Sequence, residues 1–252
     1  NMKLKMGYPN KFIDYESIYG KLDMNNSFFK NCLICEKFLF YDDIKQLYLP
    51  KDNDVWFMNA YDVNAYYSPS YNEIVFPSGI LQEPFFSSDY DLALNLGGIG
   101  VVIGHEMTHG FDDQGRKYDY KGDLKNWYEE IDVIRFNELT KTLKDQFSKR
   151  KLLNTYINGD FTLGENLADL GGVTICIDIL NDISEKMNIS KEKRNEMFRK
   201  FFYNYATIWK TNIRDKELKR RLLTDKHSPS EWRVNGILPN IDEFYEVFNI
   251  SE

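Results

Sequence analysis

The sequence predicts an α+β fold, mostly helical, with a small β-sheet beside one buried helix. Three observations carry this expectation. Residues 131–150 and 192–210 place apolar side chains every three or four positions, the period of a helix with one buried face. Residues 54–76 read instead as extended segments interrupted by Ser68-Pro69-Ser70, a turn sequence. Between these regions, Ile99, Val101, Val102 and Ile103 make a nearly all-apolar helix that runs into His105-Glu106-Met107-Thr108-His109. A buried helix needs a reason to carry such groups.

Along the chain, residues 1–50 mix aromatic and charged side chains, with a helix expected over 25–48. Residues 55–60 and 61–67 read as extended, and 72–76 as the returning strand of a hairpin that Pro77 ends. Gly79-Ile80-Leu81-Gln82 and Pro84-Phe85-Phe86 form an apolar loop leading into the histidine helix, which Gly110 and Asp112-Asp113-Gln114-Gly115 terminate. The stripe in 131–150 is Val133, Phe136, Leu139, Leu143 and Phe147. In 192–210 it is Met197, Phe201, Tyr205 and Ile208, widened by Phe198, Phe202 and Trp209. Further helices are expected over 214–223 and within 241–249. No repeat, low-complexity tract or linker divides the chain, so residues 1–252 read as a single domain.

The composition, 42% hydrophobic and 28% charged, is that of a globular chain able to bury a sizeable core. A net charge of −7, with no Lys/Arg stripe among aromatics, argues against a phosphate-binding surface, and nucleic acid is not an expected partner. No run of 18 apolar residues is present, so no membrane span is expected in this segment, and no secretory signal pattern is seen. The chain opens on Asn1 rather than an initiator methionine and reads as part of something longer. Three cysteines are few, and odd in number, for a disulfide framework. Cys32 and Cys35 have no second Cys-x-x-Cys to complete a four-thiolate zinc site. Set among Phe28, Phe29, Leu33, Ile34, Phe38 and Leu39, they read as small apolar residues, with a disulfide or redox pair as the alternative. Cys176 lies in an apolar run and is expected to be buried.

Positions i and i+4 of a helix lie one turn apart on nearly the same face, so His105 and His109 can aim two imidazole nitrogens at one point. Glu106 falls beside that point, where a metal-bound water would sit. This H-E-x-x-H arrangement is the zinc-peptidase signature, two ligands and a general base in five residues. The alternative is a surface helix with two histidines and a solvated glutamate. Catalytic zinc takes three protein ligands and keeps one position open. The chain has one further histidine, His227, and the extended pattern that would place a histidine at 115 meets Gly115. The third ligand is therefore His227 or a carboxylate from a later helix. Glu165 and Asp169 present two carboxylates at i and i+4, one for metal and one for the far N–H of a ligating histidine. Thr162-x-x-Glu165 also matches a capping box, in which the glutamate only satisfies a backbone N–H. Spacing leaves ligand and cap both open.

Four segments come in the order found in neprilysin-type (M13) metallopeptidases: Asn64-Ala65-Tyr66-Tyr67, residues 74–82 (IVFPSGILQ), residues 104–113 (GHEMTHGFDD) and Gly164-Glu165-Asn166-Leu167-Ala168-Asp169. The chain resembles that family, which includes endothelin-converting enzymes and bacterial oligopeptidases, from about Asp54 to Phe248. The resemblance implies a zincin-like catalytic domain with one Zn2+ per chain, held by His105, His109 and Glu165. It implies Glu106 as general base, Asp169 as partner to a histidine and His227 as transition-state histidine. Asn64, Ala65 and Arg233 would bind substrate, with Ile80, Phe85, Val102, Ile208 and Trp209 walling a pocket for the residue after the scissile bond. The expected function is zinc-dependent endopeptidase cleavage of oligopeptides before bulky apolar residues. An exopeptidase of the same zinc class, or an inactive zinc-stabilised peptide-binding module, stands as the alternative. The family carries a large helical region before this part and a C-terminal Cys-x-x-Trp, and neither is found here. Peptide substrates are the expected partners, together with such a helical region as a separate segment. The family leans extracellular or membrane-attached, but few cysteines and the missing signal leave the compartment open.

Overall fold

The computed structural model describes residues 2–12 and 14–250. Residue contacts group the chain into two compact units, Asn1–Gly7 with Tyr61–Glu252, and Tyr8–Ala60.

In chain order the elements begin with β1 (Lys3–Gly7) of the first unit, then α1 (Glu16–Tyr19) and α2 (Phe28–Gln46) of the second. Ser27 opens α2, its hydroxyl accepting from the Lys30 N–H at 3.2 Å. The helix expected over 25–48 is thus present, but none of its nineteen residues is buried. Phe28, Phe29, Leu33 and Phe40 all face solvent. Cys32 and Cys35 are free, half-buried thiols on this helix.

The first unit continues with β2 (Tyr66–Ser68) and β3 (Glu73–Pro77), the predicted hairpin, paired antiparallel with Tyr67 opposite Ile74. The sheet order is β1-β3-β2, and β1 runs parallel to β3 with Leu4 opposite Ile74. The expected strand over 55–60 does not form; those residues are turns and irregular backbone. Strand propensity alone supplies no hydrogen-bonding partner, and it is β1 that pairs with β3 beside β2. Residues 61–65 are likewise irregular, so Asn64 and Ala65 lie just before β2 rather than within it.

Next come α3 (Leu92–Asn95), a wide π-helical turn at Leu96–Gly100, and α4 (Val101–His109). Then follow α5 (Glu130–Ser148), the ribbon β4 (Lys151–Leu152) and β5 (Thr155–Tyr156), α6 (Leu163–Lys186), α7 (Lys191–Ile208), α8 (Asp215–Thr224), α9 (Ser230–Asn235) and α10 (Asp242–Phe248). The buried face of α5 follows Thr140, Leu143 and Phe147, and Leu139, expected on the stripe, is 76% exposed. Thr140 occupies the inward position because its hydroxyl donates to the Phe136 carbonyl at 2.8 Å, so no polar group is left unpaired.

The core joins α4, α6 and α7, with Val173, Cys176 and Leu180 of α6 and Phe198, Phe201 and Tyr205 of α7 buried in one cluster. Phe244 and Phe248 of α10 close it against Phe202 at ring separations of 5.4 and 6.1 Å. α4 and α6 cross unusually closely because glycines face each other. A Cβ on Gly104 would stand 2.8 Å from the Gly172 Cα, and one on Gly172 would meet the Val101 carbonyl. Only glycine fits at this crossing, and the crossing brings the first two turns of α6 beside the histidines of α4. No helix among the described residues is long and apolar enough to cross a membrane.

Candidate metal centre

His105 and His109 lie one turn apart on α4, with their Nε2 atoms 3.0 Å apart and their rings edge to face. Each Nδ1 is held from behind by a carboxylate. Asp169 Oδ1 accepts from His105 at 2.8 Å, and Asp112 Oδ2 accepts from His109 at 2.6 Å. When a ring is neutral with its proton held at Nδ1, its Nε2 lone pair faces the point that both rings share.

Glu165, in the first turn of α6, completes the group. Its Oε2 stands 3.3 Å from His105 Nε2 and 3.4 Å from His109 Nε2. One donor atom from each of His105, His109 and Glu165 lies within 4.8 Å of the others. Glu165 is 3% exposed, and its Oε2 is buried without a hydrogen-bond partner among the described residues. Two imidazole nitrogens and an orphaned carboxylate oxygen, all electron-pair donors, fit a divalent cation, and the set leaves room for a further ligand. The capping-box alternative fails on the same geometry. Thr162 stands at the start of α6, but its side chain makes no cap. The hydroxyl donates to the Asn158 carbonyl and accepts from the Asn166 amide at 2.9 Å.

Burial shapes the charges. Glu106 is 5% exposed, and desolvation raises its carboxyl pKa, only partly opposed by the two imidazoles. That leaves it closer to neutral pH than an open glutamate, where a group that takes and returns a proton works best. Burial opposes the charged ring of His109, but the Asp112 hydrogen bond and Glu165 outweigh it and raise its pKa to about 10. Burial also works against the ionised form of Asp169, yet Arg233 and His105 hold its pKa below the ordinary value.

Arg233, on α9, donates from Nε to Asp169 Oδ2 at 2.7 Å and from Nη2 to Oδ1 at 2.6 Å. Its guanidinium lies 3.6 Å over the Trp209 ring. Trp209, Arg233, Asp169 and His105 therefore form one chain of contacts ending at the candidate metal centre. The predicted substrate arginine thus already has two of its nitrogens on Asp169. His227 lies between α8 and α9, its Nδ1 2.8 Å from Asp225 Oδ1 and its Nε2 3.2 Å from Glu165 Oε2. Ser228 donates to Asn166 Oδ1 at 2.7 Å, tying this turn to α6.

Asn64 is exposed and Ala65 buried immediately before β2, the strand at one edge of the sheet. Ile80, Val102 and Ile208 are buried in the main apolar cluster, and Phe85 and Trp209 pack against it. Sequence reading missed Asp112, taking it only as a helix stop. Its position three residues after His109 was the available signal. Its other oxygen accepts from the Gln114 and Gly115 N–H groups at 2.8 and 2.7 Å, so one carboxylate both ends α4 and orients a ligand. Asp225 and Lys226 were also missed, and no local spacing marks either.

Comparison with known proteins agrees with this geometry. The sequence model described as Peptidase family M13 matches residues 64–252. Neprilysin-3 of Drosophila melanogaster is 36% identical over 251 residues, covering 96% of this chain and 32% of that protein. Human endothelin-converting enzyme 1 is 38% identical over 254 residues, covering 96% of this chain and 32% of that protein. Among solved structures, the Mycobacterium tuberculosis zinc metalloprotease Zmp1 in complex with inhibitor superposes with a TM-score of 0.84 at 38% identity, over 99% of this chain and 38% of that one. PepO of Lactobacillus rhamnosis gives a TM-score of 0.88 at 35% identity, over 99% and 38%. The likeness reaches further towards the N-terminus than Asp54, where sequence motifs first mark it. The chain spans about a third of the length of the curated relatives it matches.

Proposed function

The chain belongs to peptidase family M13, and from that premise we propose that it is a zinc-dependent endopeptidase acting on oligopeptides. The observation that carries this reading is the convergence of His105 Nε2, His109 Nε2 and Glu165 Oε2, with buried Glu106 beside His105 on the same helix.

Zinc held by His105, His109 and Glu165 supplies, when bound, Lewis-acid polarisation of the scissile carbonyl and of the attacking water. Glu106 takes the proton of that water as it attacks and passes it to the leaving amine, a role its raised pKa favours. Asp169 acts through His105, fixing its tautomer and ring orientation, and Asp112 does the same for His109. His227, whose Nδ1 is bonded to Asp225, hydrogen-bonds through Nε2 to the oxyanion of the tetrahedral intermediate. The substrate backbone is bound by Asn64 and Ala65, in the segment just before β2, and Arg233 holds a substrate carbonyl with the nitrogen that Asp169 leaves over. Ile80, Phe85, Val102 and Trp209 receive the apolar side chain that follows the cleaved bond.

The test is hydrolysis of a mixed peptide pool, with free and with blocked ends, by zinc-loaded native chain and by Glu106→Gln. Blocked peptides are expected to be cut before bulky apolar residues. Glu106→Gln should keep its zinc and lose about 10²–10⁴-fold in rate. Native turnover by the zinc-bound variant refutes the assignment of Glu106. Zinc binding with no cleavage of any peptide leaves a binding module instead, and cleavage of unblocked peptides alone leaves an exopeptidase.

A further inference from the structure

A lysine touches the same centre and has no part in the scheme above. Lys226, in the turn between α8 and α9, places its Nζ 2.7 Å from Glu165 Oε1. The two oxygens of that carboxylate face different neighbours. Oε2 meets the Nε2 atoms of His105, His109 and His227 at 3.3, 3.4 and 3.2 Å, whereas Oε1 takes the lysine. An ammonium drawn only to the centre of negative charge would sit among the converging donors. Lys226 instead approaches the opposite oxygen.

The turn that presents Lys226 is fixed on both sides. Asp225 Oδ1 accepts from the backbone N–H and the ring of His227 at 3.0 and 2.8 Å. Ser228 donates to Asn166, the residue next to Glu165 on α6. The lysine side chain itself is 64% exposed, so packing does not determine its position, and its removal takes nothing from the core.

We propose that Lys226 is a positioning residue of the metal centre: by holding Oε1 it leaves Glu165 to ligate through Oε2 alone. The inference rests on the metallopeptidase reading. A carboxylate with both oxygens free can turn to offer both, and the second would take the position that water and the scissile carbonyl need. A hydrogen bond to a charged ammonium is strong enough to set that choice. Ligation through one oxygen keeps the centre at three protein donor atoms.

The experiment uses the full chain, native and as Lys226→Met and Lys226→Arg, titrated with zinc against a competing chelator and, in parallel, with cobalt(II). Lys226→Met is expected to melt like the native chain before loading and to bind zinc about tenfold more tightly, because a second carboxylate oxygen joins the centre and the repelling ammonium is gone. Its cobalt(II) form should show a weaker visible absorption band, because a fifth donor atom lowers the intensity of a tetrahedral site. Lys226→Arg should retain both properties. Native affinity and an unchanged cobalt spectrum in Lys226→Met overturn the inference alone. Failure of the native chain to bind zinc overturns both the inference and the reading beneath it.

Discussion

At His109 the ring is held by Asp112 at Nδ1, and its Nε2 faces His105 Nε2 and Glu165 Oε2 at 3.0 and 3.4 Å. Asp112→Asn removes the negative charge that makes this ligand basic and keeps the shape. Zinc affinity should fall by about 10–100-fold in chelator competition, the usual cost of losing such a partner. Because the His109 pKa stands at about 10, zinc taken up near neutral pH must displace a proton from that ring, so affinity rises with pH. At this scale His105, Glu106 and His109 were legible because their relation is local, fixed by helical geometry within five residues. Glu165 was open between ligand and cap until the fold put its Oε2 against both rings. Lys226 and Asp225 were not legible, since only tertiary approach brings their turn to α6.

Between elements, the decisive feature is the α4–α6 crossing at Gly104 and Gly172. Gly172→Ala sets two effects against each other. Alanine in a helix interior gains about 1 kcal/mol over glycine. The added methyl meets the Val101 carbonyl, which is backbone and cannot rotate away, and overpacking of this kind costs about 1–3 kcal/mol. The clash wins, so the variant should melt at a lower temperature and bind zinc less tightly as Glu165 is pushed from the histidines. Helices with a clear apolar period were read nearly to their ends: α7 was expected over 192–210 and runs Lys191–Ile208. The strand expected over 55–60 failed because strand propensity names no partner, and β1, a charged segment, made the pairing instead. Leu139 and Thr140 show the same limit on a helix. A hydroxyl satisfied by its own backbone competes with an aliphatic group for the inward position.

Across the whole molecule the buried side chains are unevenly shared. α6 threads the core over twenty-four residues and carries Glu165, Asp169, Cys176 and Leu180 inward, while α2 of the other unit buries none of its own. Most helical stability in proteins comes from packing an apolar face, and on α2 that face, with Ile34, Cys35, Phe38 and Leu39, is only half-buried. In deuterium oxide the backbone amides of α2 should therefore exchange faster than those in the middle of α6. The expected gap is more than about a hundredfold, the ratio given by roughly 3 kcal/mol in opening free energy. Mass spectrometry of peptic fragments reads both helices in one sample, and equal protection of the two would mean that α2 is held by something other than its own buried surface.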